Sequence, residues 1–338
     1  RCTALKSVVF EDGNSDITLT WHNYYGASNS AYHRGMFKDC PLEEVYIGRN
    51  IKYKQNSRYT FEVYPHAYGY SAFYNQPKLT KVTIGETVTE ILPYLFYQCQ
   101  QLRILEIANS ALTAIPNYAF NQCGITELVL PNTVKSIGEY AFASNTGMTS
   151  ANLGSSVEEI GNYAFSDCKT LGTIQLGDAL KSIGDYAFSK AGSVINDMTQ
   201  LSLPGTLESI GQYAFAKSNF PKFEIPNSVT EIGKYAFSSC PKLVSIKFGS
   251  GFKTLSEGAL SDCSALKDIQ LQEGLTTIGD AAFANCTALE SITIPASVTA
   301  IGSTASWDSH TQSGTYLPFY RCTALKSVVF EDGNSDIT

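Results

Sequence analysis

All four histidines of this chain (His22, His33, His66, His310) and both tryptophans (Trp21, Trp307) fall within three stretches, 17–36, 49–70 and 303–317. Ten of its twenty tyrosines lie between residues 17 and 74. Exposed Trp and Tyr offer flat apolar faces with polar tips, suited to a sugar or a partner protein. Functional side chains concentrate on loops held by a rigid scaffold. Trp21, His22, Tyr24, Tyr25, Tyr68, Tyr70, Trp307 and His310 are therefore the candidate contacts to a host protein, a glycan or a neighbouring fibre. The plainer reading is a satellite core whose rings hold the long loops in place.

Other constellations are weaker. Asp12-x-Asn14-x-Asp16 has the oxygen spacing of the first half of a calcium loop but lacks the following Gly and the distal Glu. It reads as an acidic turn, and no metal is expected. Asp308-Ser309-His310 supplies triad residue types, but they are adjacent in sequence and no oxyanion motif accompanies them. The sequon Asn285-Cys286-Thr287 falls in a semi-buried slot of the repeat described below. No constellation supports enzymatic activity, and no cofactor is expected.

These residues must be positioned by a repeat. SIGEYAFASN (136–145), EIGNYAFSDC (159–168), SIGDYAFSKA (182–191), SIGQYAFAKS (209–218) and EIGKYAFSSC (231–240) are variants of one unit. With the Phe as marker, the series runs Phe37, Phe73, Phe96, Phe120, Phe142, Phe165, Phe188, Phe215, Phe237, Leu260, Phe283, Phe319. Regular steps are 22–27 residues, and the three long steps carry the aromatic insertions. After each marker comes Leu-x-x-Ile-x-Leu, as in Leu171/Ile174/Leu176, which fits one face of a short strand. Pro or Gly then turns the chain, Val-x-x-Ile follows, and Gly-x-Tyr-Ala-Phe closes the unit, with Gly expected at the corner. One such unit cannot bury its apolar face alone, whereas stacked units share a continuous core.

Three further rows recur. Cys follows the marker by three residues, as at Cys99, Cys168 and Cys286, where other units carry Gln76, Asn145, Ala191 or Ser218. This is a small, semi-buried slot holding free thiols, not a zinc site, which would need convergent ligands. Tyr precedes the marker by two residues in seven successive units, Tyr94 to Tyr235, and is expected to stack within the solenoid rather than form a ligand track. The outward strand positions, Thr83, Glu106, Val129, Asn152, Gln175, Ser202, Glu224, Lys247, Gln270 and Thr293, share no charge or aromatic theme.

The IGxYAFxxC…LxxIxL-P signature resembles the BspA-like (Treponema pallidum-type) leucine-rich repeat. The resemblance is unbroken from about 71 to 302. It implies an α/β repeat class, mostly β: a right-handed leucine-rich-repeat solenoid with a parallel sheet, here about twelve repeats per period. It also implies a surface or secreted protein, several members being adhesins.

A longer period encloses the short one. Residues 1–18 and 321–338 both read RCTALKSVVFEDGNSDIT, and the marker series closes onto itself after 320 residues. The alternative is an artificial duplication of the ends. The reading favoured here is a single solenoid segment, 1–338, from a polypeptide of near-identical 320-residue units that continues in both directions, since each end breaks mid-unit where a solenoid needs a polar cap. Charged residues make up only 16% and the formal charge is -7, which disfavours a nucleic-acid binder. No apolar run reaches membrane-spanning length. The expectation is therefore an extracellular or cell-surface fibre whose first partner is itself, with a cell-surface adhesin for host protein or glycan as the alternative.

Overall fold

The structure, a computed structural model, describes residues 2–19, 36–37, 40–53, 71–108, 111–196, 198, 201–302 and 317–332. Strand and turn alternate throughout, and no helix occurs among the described residues. The fold is a mostly-β repeat solenoid.

Most regular repeats lay down two short strands. The first lies on the Leu-x-x-Ile-x-Leu segment. Ser150–Asn152 pairs in parallel with Glu127–Val129 on one side and Thr173–Gln175 on the other, with Ala151 opposite Leu128 and Ile174. In each of the three the central residue is buried, the period-two pattern of a strand with one face on the core. The second strand lies on Val-x-x-Ile. Ala114–Ile115, Ser136–Ile137, Glu159–Ile160, Ser182–Ile183, Ser209–Ile210 and Glu231–Ile232 form one parallel sheet in that order. Every partner is one repeat away, so register follows from repeat length.

The marker segment forms a third ladder without being strand. The residues two before and two after the marker both take left-handed backbone, as Tyr163 (φ +58°) and Asp167 (φ +59°) do around Phe165. That conformation costs a non-glycine residue roughly 1–2 kcal/mol. It turns the intervening amides toward the next rung: Tyr140 N–H donates to Asn162 O at 2.9 Å, Phe142 N–H to Ala164 O at 2.9 Å and Ser144 N–H to Ser166 O at 2.7 Å. The expectation that the Gly of Gly-x-Tyr takes the corner is thus corrected. Gly161 serves close approach instead: a Cβ there would meet Gly138 and Glu139 main-chain atoms of the preceding rung at 2.8–2.9 Å.

The core is a column of rings. From Phe37 to Phe237 nine phenylalanines stack with centroids 5.2–5.5 Å apart and planes within 14°. Leu260 interrupts the column, and Phe283 and Phe319 resume it at 5.3 Å. Each such pair contributes roughly 0.5–1.5 kcal/mol beyond area burial.

Candidate functional site

Trp21, His22, Tyr24, Tyr25, Tyr68, Tyr70, Trp307 and His310 lie outside the described residues, as do Asp308 and Ser309. Of the first two insertions the opening residues are described. Ile17–Leu19 and Ile51–Tyr53 pair in parallel, Ile17 opposite Ile51, and continue the pattern of second strands.

Asp12, Asn14 and Asp16 sit on a turn closed by Arg49. Its Nε donates to Glu11 O at 2.6 Å and its Nη2 to Asp12 O at 2.8 Å. Asp12 Oδ1 accepts from the Tyr46 hydroxyl at 2.8 Å, and Asp16 Oδ1 from Asn50 Nδ2 at 3.3 Å. Arg49 thus bonds main-chain oxygens of the turn, while the Asp12 and Asp16 carboxylates bond Tyr46 and Asn50. Among the described residues no group of three or more His, Cys, Asp or Glu is placed to hold a metal ion.

The slot three residues after the marker has a defined chemistry. Cys99 Sγ donates to Phe73 O at 3.1 Å, Cys168 to Phe142 O at 3.3 Å, Cys263 to Phe237 O at 3.1 Å and Cys322 to Phe283 O at 3.0 Å. Where the thiol is replaced, Gln76 Nε2 donates to Phe37 O at 3.1 Å and Asn145 Nδ2 to Phe120 O at 2.9 Å. The slot therefore supplies a donor to the marker carbonyl of the preceding rung. All nine thiols are free, and seven are buried. Burial pushes Cys99 and Cys168 up to about 12, which leaves them protonated and inert. Asn285 of the sequon donates its side-chain amide to Asp262 Oδ1 at 2.7 Å, and Cys286 beside it is buried.

The tyrosines two residues before the marker stack face to face. Tyr94, Tyr118, Tyr140, Tyr163, Tyr186, Tyr213 and Tyr235 have centroids 4.4–4.9 Å apart and planes within 16°. At one end Tyr97 stands edge-on to Tyr94 and Tyr118. At the other, Tyr235 lies flat on Gly258, where a Cβ would meet the ring at 2.1 Å, and its hydroxyl donates to Glu257 Oε1 at 2.7 Å.

Beside this ladder runs a groove of about 630 Å³. Tyrosine edges, Tyr118 to Tyr213, form one wall. The residues just after the markers, among them Asn121, Ser166 and Ser189, form the floor. The opposite wall is the second left-handed row: Gln122, Ser144, Asp167, Lys190 and Lys217. Lys190 Nζ bonds Asp167 Oδ1 at 3.1 Å. Burial, then neighbouring phenols and Glu139, push Tyr140 up to about 12; Tyr118 reaches about 12 through burial and Glu139 first. The buried Asn121 donates Nδ2 to Tyr140 O at 3.2 Å, while its buried Oδ1 accepts from no protein group. Sequence reasoning missed this wall and floor. Their signal was the small Ser, Ala or Asn one residue after each marker from Phe120 to Phe283 and the polar residue next to it.

Parallel strands one repeat apart, a stacked core and fixed side-chain slots define a leucine-rich-repeat solenoid. The sequence pattern of the BspA type leucine-rich repeat region matches residues 67–195 and 193–313, and the chain belongs to that family. A leucine-rich repeat protein from Eubacterium ventriosum is similar at a TM-score of 0.50 and 18% identity, covering 92% of this chain and 91% of its own, a likeness of fold alone. The T. pallidum leucine-rich repeat protein is 31% identical over 52% of this chain and 82% of its own, with a TM-score of 0.47. A leucine rich cell surface protein from Faecalibacterium prausnitzii is 22% identical over 96% of this chain and 90% of its own, with a TM-score of 0.38. No curated protein matches the chain. No helix among the described residues is long and apolar enough to cross a membrane.

Proposed function

We propose that this chain is one period of a longer, continuous leucine-rich-repeat fibre with a structural, non-catalytic role at the cell surface. The observation that carries this reading is the pairing of one segment in two places. The strand SVVF at Ser7–Phe10 pairs along one edge with Glu44–Ile47, and the same sequence at Ser327–Phe330 pairs along its other edge with Ser291–Ile294. The first copy supplies the successor rung and the second the predecessor. Lys6 bonds Glu43 at 2.9 Å, and its counterpart Lys326 bonds Glu290 at 2.8 Å, on opposite sides. Superposed, the two copies are one interior rung. Taken singly, each leaves inward apolar positions partly uncovered: Val8 and Phe10 are half-buried where their partners Val45 and Ile47 are buried, and Phe330 is half exposed where its partner Ile294 is buried. A head-to-tail contact that does not close generates a filament.

Placement outside the cell is supported by the low charge and hydroxyl-rich composition. The seven buried thiols are compatible with an oxidising setting, since oxidants act on exposed thiolates. Electron microscopy of the native full-length polypeptide tests the fibre. Twelve rungs of about 4.8 Å predict an axial repeat of about 58 Å. Isolated crescents with no axial repeat would overturn the reading.

A second reading is a cell-surface adhesin that contacts host protein or glycan through Trp21, His22, Tyr24, Tyr25, Tyr68, Tyr70, Trp307 and His310. It is favoured by the gathering of every histidine and tryptophan into three neighbouring insertions. Monodisperse full-length protein that binds a host ligand, and loses it on Trp21→Ala with Trp307→Ala, is its expected outcome.

A further inference from the structure

We propose that the groove beside the tyrosine ladder binds a linear polysaccharide laid along the stack. The groove repeats one kind of subsite at every rung: a tyrosine edge, a small floor residue and a polar side chain opposite, with ring centroids 4.4–4.8 Å apart from Tyr118 to Tyr213. A site that repeats along a line suits a ligand that repeats along a line. Its volume of about 630 Å³ lies within the range of ligand sites.

The chemistry of the lining selects the polymer. The tyrosine faces are covered by one another, so the rings present their electropositive edges, which suit the ether and hydroxyl oxygens of a sugar. Ser144, Ser166 and Ser189 offer hydroxyls.

Other polymers fit less well. An extended peptide joins a solenoid through free main-chain groups. Here the amides of Gln122, Ser144, Asp167 and Lys190 already donate to the next rung at 2.7–2.9 Å. A nucleic acid needs several unopposed cations. This lining has two lysines, one of them paired with its single carboxylate.

Isothermal titration of the full chain with cellohexaose, maltohexaose and hexagalacturonate tests the proposal. At least one should bind saturably. Ser144→Ala and Ser166→Ala should each weaken that binding about tenfold, the worth of one hydrogen bond to the ligand. Ser166→Ala should leave the melting temperature unchanged, because Ala143 and Ala216 already hold the equivalent place. Absence of binding by all three sugars at millimolar concentration would overturn the proposal. So would binding indifferent to both substitutions, which would move the sugar site elsewhere, such as the aromatic insertions. Either failure leaves the fibre reading intact, since that rests on the paired edges of the repeated segment.

Discussion

The thiol of Cys168 donates to the main-chain carbonyl of Phe142, one rung earlier, at 3.3 Å. This bond ties two rungs at a point where the chain turns and no strand pairs. Asn145 performs the same service for Phe120, and Gln76 for Phe37. The slot selects a donor of modest size, not a thiol as such.

Substitution at this slot should separate donor from bulk. Cys168→Ala loses the hydrogen bond and leaves a small cavity, a cost of about 1–2 kcal/mol. It should still fold, since Ala191 occupies the equivalent place. Cys168→Ser keeps a donor and should cost less than the Ala variant in urea unfolding. Equal costs would remove the donor from the explanation.

Thiol reactivity should divide sharply. Cys2 is exposed and Cys322 half-buried, while the other seven are buried and, at Cys99 and Cys168, pushed up to about 12. In the native protein an aromatic disulfide reagent should titrate Cys2 and Cys322 alone, and all nine in denaturant. Rapid native reaction of Cys168 would contradict the packing.

The phenylalanine column makes a graded prediction. Phe165 is fully buried and stacks on Phe142 at 5.5 Å and on Phe188 at 5.3 Å. Phe165→Ala should cost about 3–5 kcal/mol. Phe165→Leu should cost well under half of that, because Leu260 shows that the column accepts leucine. Calorimetric melting of both variants decides the matter.

Gly258 ends the tyrosine ladder for two reasons at once. Its φ is +60°, and a Cβ would meet the ring of Tyr235 at 2.1 Å. Gly258→Ala should destabilise by about 1–3 kcal/mol. Paired with Tyr235→Ala, which removes the obstructing ring, its cost should fall to the backbone part alone. Simple additivity in a double-mutant cycle would show that the ring and Gly258 are not in contact.

Alkaline pH should unfold the ladder. Tyr118 and Tyr140 ionise at about 12 in the fold, against about 10 in an unfolded chain. Above pH ~10 the unfolded chain sheds these protons first, so the stability they contribute below that pH is lost progressively as pH rises toward 12. Tyrosinate absorbance should therefore rise in two phases, the later one coincident with loss of the far-ultraviolet signal. A single unshifted transition in the native protein would show the hydroxyls to be free.

Much of the fold was legible because a solenoid places each position against its own equivalent. Phe142 meets Phe120 and Phe165, Ile160 faces Ile137 and Ile183, and Tyr140 lies between Tyr118 and Tyr163. A row of like residues at one spacing is then already a contact map. The tyrosine stack, the strand segments and the buried thiols follow from that logic. The wall of the groove was harder to read. Gln122, Ser144, Asp167, Lys190 and Lys217 share no one side-chain type, because what unites them is a left-handed backbone.

By itself the sequence determined the repeat length, the residues that fill the core column and the identity of the segments at 1–18 and 321–338. Those are properties of spacing and residue type, which a linear chain carries in full. The tertiary structure alone decided that tyrosine takes the corner and glycine the close approach, that Cys168 reaches back to Phe142, and that Asn121 keeps an unpaired oxygen beside the tyrosine edges. Each of these depends on how far one rung is rotated and shifted against the next. That offset is set by the summed packing of two whole rungs, and no single repeat encodes it.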